Sequence, residues 1–244
     1  MLNNSEGKSI PQVTFHCREA DQWLDRSSAD LFTAKKVILF ALPGAFTPTC
    51  SSSHLPRYNQ LAKHFKAQGI DAIYCLSVND AFVMDAWQQD QQANNINFLP
   101  DGNGDFSDAL GMLVDKSGIG FGKRSWRYSM LVDDGVITKM FIEPDVPGDP
   151  FEVSDADSMM KYLNPDYKEN DAITLITRPG CGHCARAKAL LNDKGMAYEE
   201  VILGQGITHA GLQAVSGRLT VPQVFINGEH VGGADELAAR LQAG

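Results

Sequence analysis

The sequence predicts an α/β protein of two domains, each a central mixed β-sheet flanked by helices, from three observations. Short apolar runs rich in β-branched residues alternate with segments of helical spacing, a pattern typical of βαβ units. This order occurs twice along the chain. A polar stretch with one proline separates the two occurrences. We therefore expect domains at residues 1–164 and 172–244, joined by a linker at residues 165–171.

The composition is typical of a soluble globular protein. The 244 residues are 43% hydrophobic and 21% charged, and this length is enough for two ordinary domains. The formal net charge of -9 argues against a nucleic-acid partner, because phosphate binding depends on Lys and Arg. Residues 1–11 lack the basic and apolar regions of a secretory signal, and no apolar run is long enough for a bilayer. We therefore expect a cytoplasmic location and no membrane partner.

Two apolar runs in the first half, at residues 37–42 and 70–78, predict buried strands. Between them, residues 51–69 carry apolar side chains at helical spacing and end at a glycine, so a parallel strand–helix–strand unit is expected. Residues 128–132 and 136–142 flank an Asp-Asp-Gly turn signal, which predicts a β-hairpin.

The second half repeats the strand–helix–strand order and closes with a hairpin around Asn227-Gly228 and a last helix. This βαβ-then-ββα order is a thioredoxin-like arrangement. The expected elements are strands at 173–176, 198–203, 224–226 and 230–231 and helices at 184–194 and 235–241.

An odd number of cysteines at irregular spacing is a poor disulfide framework, and in a reducing compartment such cysteines are buried, metal-bound or catalytic. Cys17 and Cys75 are expected to be structural, and Cys75 lies within a predicted strand. The five cysteines are Cys17, Cys50, Cys75, Cys181 and Cys184.

The pair Cys181 and Cys184 lies between a predicted strand and a predicted helix. The partial positive charge and free N–H groups of a helix N-terminus stabilise a thiolate, and a protonated His183 would add to this. Cys184, one helical turn on, lies within disulfide reach. The alternative is half of a zinc site, but zinc needs three or four ligands and this half has no second cysteine pair. No bound metal is therefore expected.

Residues 176–184, 220–226 and 232–237 resemble the three signature segments of glutaredoxins, and the resemblance covers residues 172–244. It implies glutathione as co-substrate, no tightly bound cofactor, and a cis peptide bond before Pro222. The Gly-His pair between the cysteines replaces the common Pro-Tyr, and iron–sulfur binding stays open as an alternative. The implied glutathione-binding residues are Arg178, His183, Gln213, Thr220, Val221, Pro222, Gly233, Ala234 and Asp235.

Residues 43–50 form a Pro-x-x-x-Thr-x-x-Cys motif that resembles the peroxiredoxins, in their subfamily-five (type II) branch. The match extends over residues 1–163. It implies that Cys50 is the peroxide-reactive thiol, supported by Pro43, Thr47 and Arg127. Arg124 is a nearby alternative to Arg127.

Cys50 opens the predicted helix, again a position that stabilises a thiolate. His54 and His64 on that helix are expected to be surface or supporting residues rather than bases, since a thiolate needs none.

Many relatives carry a second, resolving cysteine late in this domain, and residues 141–170 contain none.

The whole chain resembles the hybrid peroxiredoxin–glutaredoxin proteins of bacteria. The resemblance implies a glutathione-dependent peroxidase in which Cys181, with or without Cys184, reduces glutathionylated Cys50. Glutathione reductase would recycle the glutathione, and the peroxiredoxin domain would form a homodimer or homotetramer. Three alternatives are a general disulfide reductase, a redox sensor or chaperone, and an iron–sulfur carrier.

Overall fold

The computed structural model describes residues 2–19, 22–167 and 171–243. The chain divides into two compact units, and the boundary between them lies after Tyr167.

The first unit alternates strands and helices along the chain, with one π-turn and one 3-10 turn. Its elements are β1 (Thr14–Glu19), β2 (Gln22–Ser27), α1 (Ser28–Phe32), β3 (Lys36–Ala41), the π-turn (Cys50–His54), α2 (Leu55–Ala67), β4 (Ala72–Ser77), α3 (Ala81–Asp90), β5 (Asn97–Pro100), α4 (Asp105–Ala109), β6 (Leu113–Asp115), the 3-10 turn (Ser117–Ile119), β7 (Lys123–Ser125), β8 (Tyr128–Asp133), β9 (Val136–Ile142) and α5 (Ala156–Leu163).

The central sheet of the first unit has the order β5-β4-β3-β8-β9, with β3, β4 and β5 parallel and β8 and β9 antiparallel to their neighbours. Both faces of β3 are covered. Val37, Leu39 and Ala41 pack into one apolar core, while Ile38 and Phe40 pack into the other. A central strand buried on both sides has no need of polar residues, which explains the continuous apolar run.

The helix expected at residues 51–69 is present, but it begins with the π-turn and continues as α2. In the π-turn, the backbone N–H of Leu55 donates to the carbonyl of Cys50, five residues back. π-turns inside helices are frequent at functional sites. The chain leaves the helix at Gly69, whose φ of +82° lies in the region that glycine tolerates best.

Strand pairing sets the position of Arg127. Ala41, the last residue of β3, pairs with Tyr128, the first residue of antiparallel β8. Arg127 therefore lies at the carboxyl end of β3, the same end from which the chain leads to Cys50. The hairpin between β8 and β9 confirms the predicted turn, with Asp134 and Gly135 at positive φ.

The second unit has a mixed sheet of order β11-β10-β12-β13, in which β10 and β11 are parallel and the other pairs are antiparallel. Helices pack on it through apolar side chains such as Ala187, Leu191 and Leu237. The two thioredoxin-like sheets confirm the predicted fold class. Its elements are β10 (Ile173–Thr177), α6 (Gly182–Asp193), β11 (Glu199–Ile202), α7 (His209–Ser216), β12 (Gln223–Ile226), β13 (Glu229–Gly232) and α8 (Ala234–Ala243).

The segment expected as a linker, residues 165–171, is described up to Tyr167 and again at Asp171. The ring of Tyr167 packs against His64 of α2, with ring centroids 5.5 Å apart, so the start of the segment belongs to the packing of the first unit. Residues 168–170 lie outside the described residues. Across the part of the chain that is described, no helix is both long and apolar enough to cross a bilayer.

Candidate active sites

Cys50 is the first residue of the π-turn, and its side chain is fully buried. Nη2 of Arg127 lies 3.5 Å from its sulfur and donates to it. The topology brings these residues together from positions 77 apart in the sequence. The guanidinium places a fixed positive charge and a hydrogen-bond donor beside this buried sulfur.

Arg127 is 1% exposed and has two further partners. Its Nη2 lies 2.6 Å from both carboxylate oxygens of Asp149, and its Nη1 lies 3.1 Å from Nδ1 of His54. Burial works against the charge of Arg127, but Cys50 and Asp149 outweigh it and raise the pKa of the guanidinium. Three side chains, two from the π-turn and one from the segment after β9, therefore fix the orientation of Arg127.

Of the two places expected for His54, surface or supporting, the structure shows the second, because His54 is completely buried and contacts Arg127. Its ring lies between Phe40 and Phe151, with centroids 4.9 Å away on each, and its Nε2 lies 3.2 Å from the carbonyl oxygen of Ser154. Burial, and secondly the charge of Arg127, lower the pKa of His54 to about 3. The ring is therefore neutral at physiological pH and acts through Arg127.

Glu143, just after β9, is a buried carboxylate that was not predicted from the sequence. It accepts hydrogen bonds from the backbone N–H groups of Glu152, Val153 and Ser154 and from the Ser154 hydroxyl, at 2.7–2.9 Å. These bonds fix the backbone whose Ser154 carbonyl supports His54. A lone glutamate after a strand carries no motif, so a single sequence gives no signal for this role.

Pro43 is buried two residues after the end of β3. The hydroxyl of Thr47 donates to the carbonyl of Gly44 at 2.8 Å. The amide oxygen of Asn79 accepts from the Ala45 backbone N–H at 3.0 Å, which ties this loop to the end of β4. Because the Thr47 hydroxyl uses its proton in the bond to Gly44, its lone pairs remain available to accept hydrogen bonds.

Arg124, the alternative to Arg127, has a different environment. Its Nε donates to the carbonyl of Phe121 at 2.9 Å, and its Nη1 donates to the carbonyl of Val78 at 3.0 Å. These contacts place it as a brace between two backbone segments. Arg127, by contrast, contacts the sulfur of Cys50.

Cys17 and Cys75 are buried in apolar cores, which confirms their expected structural place. Burial raises the pKa of the Cys17 thiol to about 11 and that of the Cys75 thiol well above its usual value. Both thiols are therefore protonated at neutral pH and poor nucleophiles.

In the second unit, Cys181 and Cys184 are joined by a disulfide. Cys181 is half-buried and is the N-cap of α6, where its sulfur accepts from the Cys184 backbone N–H at 3.2 Å, while Cys184 is buried. The helix expected at 184–194 therefore begins earlier, at Gly182. Among the described residues, His, Cys, Asp and Glu side chains form no group of three that could hold a metal ion.

The sulfur of Cys181 lies 3.7 Å from the carbonyl oxygen of Val221, and the bond between Val221 and Pro222 is cis. Pro222 immediately precedes β12, which runs antiparallel to β10, so it faces the strand that leads to Cys181. The side-chain amide of Gln223 donates to the carbonyl of Thr220 at 2.8 Å and braces this loop. The structure thus brings Val221 and Pro222 beside Cys181.

The other expected glutathione-binding residues lie on the surface or at the start of α8. Ala234 is buried as the first residue of α8, and Asp235 pairs with Arg186 of α6 at 2.6 Å. The exposed side chains are Arg178, His183, Gln213, Thr220 and Asp235.

Gly233 has a partner that was not predicted from the sequence. Its backbone N–H donates to Oε2 of Glu236 at 2.9 Å, and Oε1 of Glu236 accepts from Arg218 at 2.9 Å. A Cβ atom at position 233 would meet that same Oε2 at 3.2 Å. Glycine at this position therefore leaves room for the glutamate.

Comparisons with known proteins place both units in families. Residues 5–160 match the Redoxin family, and residues 173–231 match the Glutaredoxin family. A hybrid peroxiredoxin of Haemophilus influenzae, hyPrx5, is 60% identical over 236 residues, which are 97% of this chain and 98% of that protein. The peroxiredoxin sll1621 of Synechocystis is 56% identical over 167 residues, which are 63% of this chain and 88% of that protein.

A solved structure also resembles the first unit. Reduced Prx3 of Vibrio vulnificus in complex with H2O2 matches with a TM-score of 0.63 at 43% identity, covering 66% of this chain and 99% of that one. The two family matches and a relative similar along its whole length agree with each other. The chain therefore belongs to the peroxiredoxins, as a hybrid thiol peroxidase with a C-terminal glutaredoxin domain.

Proposed function

We propose that this chain reduces hydrogen peroxide and organic hydroperoxides with glutathione as electron donor, using Cys50 as the peroxidatic thiol and Cys181 as the thiol that regenerates it. The observation that carries the proposal is the 3.5 Å contact between Arg127 Nη2 and the sulfur of Cys50. A guanidinium donates to a thiolate and to an adjoining peroxide oxygen from one rigid fork. The peroxidase part is assigned to residues 1–164 and the glutaredoxin part to residues 172–244.

In the first step, the thiolate sulfur of Cys50 attacks the terminal oxygen of the peroxide. The O–O bond breaks, Cys50 becomes a sulfenic acid, and the other oxygen leaves as water or an alcohol after taking up a proton. Arg127 stabilises the charge that develops on the departing oxygen. The Thr47 hydroxyl, whose proton goes to Gly44, can accept a hydrogen bond from the peroxide O–H.

In the second step, the thiol of glutathione attacks the sulfenic acid. A disulfide forms between Cys50 and glutathione, and the hydroxyl leaves as water with the thiol proton. This step takes the place of an internal resolving cysteine. The apolar burial of Cys75 supports that assignment, because a thiol with a raised pKa is a poor alternative nucleophile.

In the third step, the Cys181 thiolate attacks the glutathione sulfur, which releases the Cys50 thiolate. A second glutathione then forms oxidised glutathione and restores Cys181. The α6 N-terminus stabilises the thiolate, and the Val221 backbone and the start of α8 offer polar groups to the tripeptide. The fusion favours this exchange, since a short linker raises the local concentration of one reacting group at the other.

The test is NADPH consumption with glutathione reductase, glutathione and peroxide, and without added glutaredoxin. Wild-type protein is expected to turn over, and Cys50→Ser is expected to abolish turnover with any reductant. Cys181→Ser is expected to abolish turnover with glutathione while a small dithiol still supports it. Cys75→Ser is the matched control, expected to keep full activity.

Two results would contradict the proposal. Peroxide turnover by Cys50→Ser would remove the assigned thiol. Disulfide reduction without peroxide turnover in the wild-type protein would favour a general disulfide reductase instead.

A further inference from the structure

Asp149 and Arg127 form an ion pair whose two members differ sharply in exposure. The Arg127 side chain is 1% exposed, whereas that of Asp149 is 43% exposed. Both oxygens of Asp149 lie 2.6 Å from Nη2, the same nitrogen that donates to Cys50, and Oδ1 also accepts from Nε at 3.2 Å. The carboxylate therefore holds the guanidinium from the solvent side, in the orientation that serves Cys50.

Asp149 belongs to a loop, residues 144–155, that covers this site. Its C-terminal end is anchored by the hydrogen bonds to Glu143, and Phe151 lies over His54 and over the guanidinium of Arg127, 5.4 Å from its central carbon. Asp149 is the ionic contact between this loop and the site. The end at Ser154 is thus held by a buried carboxylate, and the part around Asp149 by a pair open to water.

Cys50 itself is fully buried. Hydrogen peroxide has only two non-hydrogen atoms, so it can pass through a narrow opening. Glutathione is a tripeptide, and its sulfur must come into bonding contact with the sulfur of Cys50. Some part of the structure around Cys50 therefore has to move before glutathione can attack, and the exposed pair between Asp149 and Arg127 is the contact that water can most readily replace.

We propose that Asp149 is a positioning residue with opposite effects on the two half-reactions: it holds Arg127 on Cys50 for peroxide reduction and acts as the latch that must open for glutathionylation. This rests on the proposed function and adds to it a residue that sets access to oxidised Cys50. In glutathionylation, the glutathione thiol and the Cys50 sulfenic acid form a disulfide and water, so no further oxidant or reductant is required.

Asp149→Asn separates these roles, because it keeps the shape and one acceptor oxygen but removes the charge. A looser Arg127 is expected to slow peroxide reduction roughly threefold to tenfold, and a looser loop is expected to speed glutathionylation by a similar factor. Asp145→Asn is the matched control, since it removes an exposed carboxylate from the same loop. It is expected to change neither rate.

The experiment uses the full chain with Cys181→Ser, so that the mixed disulfide on Cys50 accumulates. Stopped flow with hydrogen peroxide gives the first rate, and quenched mass spectrometry after adding glutathione to the oxidised protein gives the second. A slower first rate with a faster second rate supports the latch. Equal rates, or both rates slowed together, would overturn it, as would the same changes in Asp145→Asn.

The failure of the proposed function has a different signature. If oxidised Cys50 with Asp149 intact forms no mixed disulfide at any glutathione concentration, the glutathione route itself is wrong. If the mixed disulfide forms equally fast with Asp149 intact and with Asp149→Asn, the route stands and the latch is rejected.

Discussion

Nη1 of Arg127 lies 3.1 Å from Nδ1 of His54, and this contact fixes the tautomer of the buried imidazole. A guanidinium has donors and no acceptor, so Nδ1 must be the unprotonated nitrogen. The proton is then on Nε2, which donates to the carbonyl of Ser154 at 3.2 Å. His54 is therefore neutral and links Arg127 to the loop behind it.

The neutral state of His54 predicts a loss of stability in acid. The pKa of His54 is about 3 in the folded protein and near 6.5 in the unfolded chain. As pH falls below 6.5, the unfolded chain binds a proton that the folded protein does not, so stability is lost between about pH 6.5 and 3. Between pH 7 and pH 5, the protonation of His54 in the unfolded chain should lower the free energy of unfolding by about 2 kcal/mol.

The measurement is the free energy of unfolding in urea at several pH values for the wild type and His54→Asn. The wild type should lose about 2 kcal/mol more than the variant over this interval. Parallel curves would show that the pKa of His54 is the same in the folded protein as in the unfolded chain.

Replacement of Arg127 distinguishes it from Arg124. A lysine at position 127 has a compact charge and cannot contact Cys50, His54 and Asp149 from one planar group, so the peroxide rate constant should fall about 100-fold. Arg124→Lys should lose less than about fivefold, because one ammonium can still reach a backbone carbonyl. Stopped-flow oxidation by hydrogen peroxide measures both. A larger loss in Arg124→Lys would reverse the two assignments.

The sequence predicted the parts of the site that follow from local pattern. Cys50 and Cys181 each follow a buried strand and open a helix. Arg127 and Pro222, which only the family resemblance singled out, each precede the antiparallel neighbour of that strand. Position relative to a strand can be recognised from apolar runs and turn signals.

Local sequence pattern did not predict the roles of Glu143 and Asp149 or the burial of His54. Glu143 and Asp149 lie in an irregular segment. Glu143 accepts from backbone groups and Asp149 from the Arg127 side chain, and such bonds leave no periodic pattern in the sequence. His54 is on a helix whose first turn is a π-turn, and this changes which side chains face the core. Glu236 was missed because its partner is the backbone N–H of Gly233.

Glu143 predicts a specific cost in stability. In Glu143→Gln, an NH2 group replaces one of two acceptor oxygens that face three backbone N–H groups and a hydroxyl. A buried donor would then face a donor, and the unfolding free energy should fall by about 3 kcal/mol. Urea unfolding measures this. Glu152→Gln, an exposed change in the same loop, is the control and should stay within about 0.5 kcal/mol of wild type.

Cys181 and Cys184 differ in exposure, and this predicts unequal roles. Cys184 is buried beneath the first turn of α6, whereas Cys181 is half-buried at its N-cap and lies beside the carbonyl of Val221. An incoming disulfide sulfur can therefore reach Cys181 more readily. Glutathione-supported turnover should be abolished in Cys181→Ser and should stay within about fivefold of wild type in Cys184→Ser.

The coupled NADPH assay with glutathione and glutathione reductase measures this difference. With Cys184→Ser, the disulfide between Cys181 and glutathione should also be isolable after an acid quench, because no neighbouring thiol remains to displace the glutathione. Complete loss of turnover in Cys184→Ser would instead mean that the enzyme passes through the Cys181–Cys184 disulfide on every cycle. The disulfide present in the structure would then be an obligatory intermediate, whereas with retained turnover it is a side state that glutathione reduces.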